Sequence, residues 1–346
     1  MTVGLGGYTP YGLGLKWPLD FRGRFVSFES RLQTFYIQPT AAYAVSDKLS
    51  IGGGLVLAVS TVELKRREDL ATVPLGTVPG VTFAALLDNQ TDFETTVLSA
   101  KRQTGAGAHV GVLFKASDRV RFGAKYLSRV KVSYDGTATF TPVVGTFRVT
   151  KNNPLGLPVG ASLESAASQV QASLQNQAVS TELVMPAQFV AGISVHATDR
   201  LRLMADYQWV GWSAFKSITL AFSQAVPPDE TLPQNYRDTS ALLIGTEYAL
   251  RPALRLRAGY FHNPAAAPDE TVTPLLPESR RNHFSGGVGM TLGGATLDLA
   301  YQYVHHADRR GRSTNPPAGT APTTGLNDGL YRESSHLLGV TISRHW

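Results

Sequence analysis

From Val120 to Tyr134 every second position is apolar: Val120, Phe122, Ala124, Tyr126, Val130, Val132 and Tyr134, broken by Ser128. The interleaved set is largely polar: Arg121, Gly123, Lys125, Leu127, Arg129, Lys131 and Ser133. A pleated strand sends such sets to opposite faces, whereas a helix would smear both around its surface. The pattern recurs in Phe189, Ala191, Ile193 and Val195, in Leu201, Leu203, Ala205, Tyr207 and Trp209, and in Leu297, Leu299, Tyr301 and Tyr303. About twelve segments carry it, with cores near 2–10, 31–45, 49–64, 104–116, 120–134, 181–196, 201–216, 238–249, 254–263, 283–292, 295–305 and 334–346. Most are longer than the usual strand of a water-soluble protein, which has about 5–6 residues, and long enough for a tilted membrane-crossing strand of about 9–11.

The connections alternate in length. Ser46-Asp47-Lys48, Ser117-Asp118-Arg119, Thr198-Asp199-Arg200, Arg251-Pro252-Ala253 and Gly293-Gly294 are tight. Long loops lie between them, near 11–30, 65–103, 135–180, 217–237, 264–282 and 306–333. Short turns at one end and long loops at the other are the arrangement of an outer-membrane barrel. No repeated blade motif supports a soluble propeller instead. Tyr126, Tyr134, Tyr207, Trp209, Trp212, Tyr248, Tyr260, Tyr301 and Tyr303 fall near strand ends, where amphipathic rings meet the headgroup level. In the last segment Leu338, Val340, Ile342 and Trp346 share one face. The expected fold class is therefore all-β: one antiparallel transmembrane β-barrel domain over residues 1–346, with its tight turns at the end that carries Trp346.

Composition narrows the chemistry. No cysteine is present, which removes disulfide scaffolds, thiolate metal sites and cysteine nucleophiles. The net charge of +6 raises nucleic acid as a partner, but the basic residues are spread along the chain, and no nucleic-acid role is expected. There is no run of 18 apolar residues for a membrane-spanning helix, and the opening Met1-Thr2-Val3-Gly4-Leu5-Gly6-Gly7 does not read as a signal peptide.

Several stretches, in order along nearly the whole chain, resemble the FadL-type transporters of long-chain fatty acids and other hydrophobic compounds. They are Gly6-Gly7-Tyr8-Thr9-Pro10-Tyr11-Gly12-Leu13-Gly14, Ile37-Gln38-Pro39-Thr40-Ala41-Ala42-Tyr43, Tyr126-Leu127-Ser128-Arg129-Val130-Lys131, Leu183-Val184-Met185-Pro186-Ala187-Gln188-Phe189, Asp206-Tyr207-Gln208-Trp209-Val210-Gly211-Trp212-Ser213-Ala214-Phe215-Lys216, and Arg257-Ala258-Gly259-Tyr260. The resemblance implies a bacterial outer-membrane location and a 14-stranded barrel plugged by an N-terminal hatch. About twelve of those strands are expected here, because the match begins within what would be the third strand. An upstream extension carrying the signal peptide, hatch and first strands is expected. If the barrel closes on the present strands alone, 2–10 should pair with 334–346.

The resemblance also places a ligand carboxylate beside Lys65, with Arg66 close behind, in Glu63-Leu64-Lys65-Arg66-Arg67-Glu68-Asp69. The same basic stretch could instead meet outer-membrane lipid or lipopolysaccharide. Arg121, Lys125, Arg129 and Lys131 form an inward stripe that could guide anions or simply pair within a polar lumen. Lys216 is a further ligand candidate, or an interfacial anchor. Val81 to Leu98, with Phe83, Leu86, Leu87 and Phe93, and Ala161 to Gln177 look helical, and the resemblance makes their apolar faces a collecting surface for ligand. His305 and His306 are adjacent and face opposite ways on a strand, so they cannot share a metal. Neither a nucleophile elbow nor a dinucleotide loop is present around His283 to Leu292. No enzyme activity, metal or cofactor is expected. The expected function is passive uptake, by a monomer, of long-chain fatty acids or other hydrophobic small molecules. A general porin for small polar solutes and an aromatic-hydrocarbon channel are the alternatives.

Overall fold

The computed structural model describes residues 1–75, 80–88, 91–311 and 329–344. The strands are β1 (Thr2–Lys16), β2 (Glu29–Ala44), β3 (Leu49–Asp69), β4 (Asp92–Lys115), β5 (Val120–Leu127), β6 (Val130–Pro142), β7 (Gln177–Met185), β8 (Gln188–His196), β9 (Leu201–Val210), β10 (Ser217–Phe222), β11 (Glu230–Pro233), β12 (Thr239–Arg251), β13 (Leu254–Asn263), β14 (Arg281–Leu292), β15 (Ala295–His306), the two-residue β16 (Arg309–Arg310) and β17 (Leu330–Tyr331), and β18 (Ser334–Arg344). One helix, α1 (Glu164–Ser173), stands in the loop after β6. β5 with β6, β7 with β8, and β9 with β10 each make one bent span, so the large sheet is a meander of twelve spans in chain order, every pair antiparallel. The tight turns all fall at the end where β18 finishes; Trp346 itself lies outside the described residues.

Outward-facing apolar side chains form a band that water would not tolerate. Phe122, Tyr126, Leu203, Tyr207 and Leu299 are exposed, and so are Leu55, Val112, Leu242, Ile244 and Ile342 around the sheet. Contiguous apolar surface on this scale marks contact with an apolar phase, here the bilayer. On the opposite face of the same strands, charged groups pair with one another: Arg202, Arg255 and Arg257 surround Glu247, and Arg257 also meets Asp298. Among the described residues no helix is long and apolar enough to cross a membrane. Among the described residues β1 is laddered only to β2 and β18 only to β15, so the pairing of 2–10 with 334–346 is not formed.

Three spans depart from the straight strands that the alternation predicts. β5 stops at Leu127 and β6 starts at Val130; the two residues between them invert the faces. Arg121 and Lys125 keep the inward side, whereas beyond the break Val130, Val132 and Tyr134 are buried inward. Arg129 and Lys131, expected on the inward stripe, are turned outward: Arg129 is exposed and Lys131 pairs with Glu182 at 2.5 Å. The neighbouring span breaks at the same level, at Pro186-Ala187, where proline offers no N–H to the ladder. The third breaks at Gly211 and passes through a 3-10 turn, Trp212–Ala214. The upper halves of the first two spans lean into the lumen, so Tyr134 packs inside rather than in an interfacial girdle, and Trp212 of the third span packs against the same cluster.

Glycine permits the lean. A Cβ at Gly105 would stand against the Lys131 carbonyl oxygen and the Val130 and Val132 side chains, and at Gly107 against Ser128 and Val130. Gly105→Ala is therefore expected to destabilise the folded barrel by about 1–3 kcal/mol. Gly4→Ala, where a Cβ meets nothing within 4 Å, should be silent. Heat-modifiable gel mobility of the two variants checks this; equal melting would mean that β6 does not cross β4 so closely.

The loops also differ from expectation. The long loop after β3 is shorter than 65–103, because β3 runs to Asp69 and β4 begins at Asp92. Likewise β6 and β7 trim the loop 135–180 to residues 143–176. The helix expected in 161–177 forms as α1. That expected in 81–98 does not: one 3-10 turn, Phe83–Ala85, precedes a strand that contains the β-branched Thr95, Thr96 and Val97.

Candidate functional site

Apolar clusters are stacked down the lumen from the loops inward. Outermost, Leu70, Phe83, Leu86, Leu87, Phe93, Phe147 and Leu163 are buried together, joining the loop after β3 to the loop that carries α1. Phe83, Leu86 and Leu87 thus pack against a partner loop and are not exposed. Below them Leu64, Leu98, Phe140, Val179, Leu220 and Leu275 form a second cluster. At mid-barrel Tyr11, Tyr36, Val56, Val130, Val132 and Met185 form a third.

This third layer reaches across the lumen, from β1 to the wall at Pro186. The Tyr11 hydroxyl on β1 donates to the Pro186 carbonyl at 2.7 Å, and Gln188 Nε2 donates to the Tyr11 oxygen at 2.7 Å. Tyr11 rests edge-on against Tyr36 and Trp212. Tyr134 and Ser60 share a hydrogen bond of 2.6 Å, and Ser60 and Thr34 another of 2.8 Å. Buried hydroxyls are thereby satisfied inside an apolar layer, which holds the lean of β6 and β7 in one arrangement.

Above that floor lies a cavity of about 520 Å³, a size suited to a small molecule. Leu32, Val62, Met185, Trp212, Phe215 and Ile218 give it a mostly apolar wall. One end is polar, formed by Tyr236, Glu278, Ser279, Arg281, His306 and Glu333. These residues come from the loop before β12, the loop between β13 and β14, the ends of β14 and β15, and the segment before β18.

The basic residues singled out in the sequence stand elsewhere. Lys65 is not part of the cavity wall; its Nζ pairs with Glu29 at 3.3 Å and Glu63 at 3.1 Å, and Glu63 does line the cavity. Arg66 is held by Glu68 at 2.8 Å and Glu230 at 2.6 Å. A ligand carboxylate at either would have to displace a resident one. Lys216 is exposed, and its carbonyl accepts from Gln234 and Asn235 as the chain leaves β11. The polar end has no local sequence signature: its members are dispersed from Tyr236 to Glu333, and only the barrel brings them together.

Residues 1–346 match the family described as "Outer membrane protein transport protein (OMPP1/FadL/TodX)". The chain is 23% identical, over 98% of its length, to the putative outer membrane protein NMB0088 of Neisseria meningitidis, and covers 73% of that protein. It is 20% identical to the long-chain fatty acid transport protein of Escherichia coli K12, over 85% of this chain and 65% of that protein, so it spans a little under two thirds of that relative. Among solved structures, a Pseudomonas aeruginosa FadL homologue superposes with a TM-score of 0.77 at 20% identity, covering 98% of this chain and 73% of that one. The Ralstonia pickettii toluene transporter TbuX gives 0.63 at 22%, covering 99% and 77%. These structures share the fold, a barrel of antiparallel strands. With the match running over every residue, the chain belongs to the OMPP1/FadL/TodX family of outer-membrane transport proteins.

Proposed function

We propose that this protein is a passive channel that admits hydrophobic small molecules through the outer membrane. The observation that carries this reading is the apolar cavity sealed below by the Tyr11–Pro186 layer. A general porin needs a continuous wet passage, and its lumen is lined by polar groups. Here the middle of the lumen is packed with tyrosine, valine and methionine, which an apolar molecule can replace at low desolvation cost and a sugar cannot. The cargo enters past the loop clusters, rests in the cavity and leaves where the walls bend. Residues 100–107 of β4, which lie between its ladders to β6 and to β5, have no strand partner on that side and leave an opening in the wall. A relative and a structural neighbour whose names mention long-chain fatty acid and toluene agree with an apolar cargo.

Cells that make the protein should accumulate radiolabelled toluene and dodecanoate faster than vector controls, while proteoliposomes stay closed to arabinose. Ala100→Trp, placed in the cavity wall, should cut hydrocarbon uptake severalfold. Fast swelling in arabinose with no gain in hydrocarbon uptake would establish the porin reading instead.

A further inference from the structure

The polar end of the cavity contains groups that make no hydrogen bond among the described residues. The Tyr236 hydroxyl, Arg281 Nε and Glu333 Oε1 are each buried without a hydrogen bond, whereas Glu278 Oε1 faces the Arg281 guanidinium. Leaving such groups unpaired is costly, so several of them on one cavity wall point to a partner that comes and goes. Their positions are otherwise fixed. Glu278 Oε2 accepts from the backbone N–H groups of Ala266 at 3.1 Å and Ala267 at 3.0 Å. Glu333 Oε2 lies 3.4 Å from His306 Nδ1, and Arg281 lies 3.6 Å from Glu278. Tyr236 is wedged against Phe215 and Trp212, with ring centroids 5.0 and 5.9 Å away.

The set offers donors and acceptors together. Tyr236 and Arg281 can donate, while Glu278 and Glu333 can accept. A carboxylate head brings only acceptors and would face two glutamates. A hydroxyl head brings one donor and two lone pairs and answers both kinds of group. Charge agrees with this. The described residues of the cavity wall include two arginines, Arg31 and Arg281, against three glutamates, Glu63, Glu278 and Glu333. A protonated His306 would only bring the count to balance. Behind them Arg309 is committed to Asp269 at 2.7 Å. No surplus cation waits for an anion.

We propose that Tyr236, Glu278, Arg281 and Glu333 form a head-group subsite that selects amphiphiles with an uncharged hydroxyl head, alcohols or phenols, over carboxylates of the same chain length. The proposal rests on the uptake reading above and specifies its cargo.

The test is equilibrium binding of labelled 1-dodecanol, dodecanoate and dodecane to the full chain in lipid nanodiscs, with protein-free discs subtracted for partition. At neutral pH, 1-dodecanol should bind about tenfold more tightly than dodecanoate. Tyr236→Phe removes only a hydroxyl that has no partner, so the fold should be kept, and 1-dodecanol binding should weaken about fivefold with dodecane unchanged. Glu333→Gln should narrow the preference for alcohol over carboxylate. Dodecanoate binding as tightly as 1-dodecanol, or Tyr236→Phe without effect on the alcohol, overturns the subsite while leaving uptake intact. If none of the three ligands binds above the lipid background, the uptake reading itself fails.

Discussion

Replacing Tyr11 and Tyr134 together with alanine should turn a barrel closed to sugars into one that passes them. Tyr11 joins β1 to the Pro186 carbonyl across the lumen, and Tyr134, 1% exposed, ties the leaning β6 to Ser60 on β3. Each truncation removes a large ring from a packed layer, and substitutions of this kind leave cavities costing about 3–5 kcal/mol in cores. The backbone ladders of β1 to β4 do not depend on either ring, so the barrel should still insert. What is lost is the contact that keeps the middle of the lumen dry. Arabinose influx in liposome swelling should rise by roughly an order of magnitude or more toward porin-like rates. Each single variant should give a smaller rise, because Tyr36 and Val132 still fill the layer. If the double variant remains as closed as the parent, the seal lies higher, in the cluster of Phe83, Leu86 and Leu87, and the floor assigned to Tyr11 is wrong.

The strands could be read from the chain because one physical fact repeats: lipid on one side and a polar lumen on the other impose a period of two. That rule covers β8, β9 and β15, where Phe189, Leu203 and Leu299 face outward as the alternation requires. It misleads at Ser128-Arg129. Val130, Val132 and Tyr134 continue the even parity of Val120 to Tyr126, yet two residues outside the ladder turn them inward, so the same residue type serves opposite faces on either side of the bend. Apolar character reports burial from water and does not distinguish lipid from a packed lumen. The break at Pro186 carried a local signal that could have been used, since proline in a central strand marks an interruption. The helix over 81–98 failed for a related reason: Phe83, Leu86, Leu87 and Phe93 are apolar because they bury against Phe147 and Leu163 from another loop, and their helical spacing is incidental to that packing. Lys65 and Arg66 were visible as a basic cluster, and so were their near partners Glu63 and Glu68, but the second carboxylate on each, Glu29 and Glu230, is distant in sequence. The cavity's polar end is the least legible part, because Tyr236, Arg281 and Glu333 meet only after the meander has curved.

The outward band makes the other large prediction. Leu203 is the third of the ten residues of β9, opposite Val195 of β8 and Thr246 of β12, with its side chain 45% exposed on the apolar face. In a bilayer that exposure is contact with acyl chains, where a lysine costs about 2–4 kcal/mol at the midplane and about 0–1 near the interfaces, hence about 1–2 kcal/mol between the two. Leu203→Lys should therefore lower the folding equilibrium into lipid roughly fivefold to thirtyfold, seen as loss of the heat-modifiable folded form and retention in the aggregated fraction. Met204 is the control: it is the next residue, on the same strand at the same depth, and its side chain lies inward beside Gly245. Because successive residues of a strand face opposite ways, Met204→Lys places the same charge in the polar lumen near Glu247 and Asp206 and should fold in nearly parental yield. The contrast between two adjacent positions separates lipid exposure from any general effect of an added lysine. A β-protein that folds in water with an apolar core would give the opposite order, with the inward substitution damaging and the outward one harmless. Equal yields for both would mean that β9 does not cross the membrane.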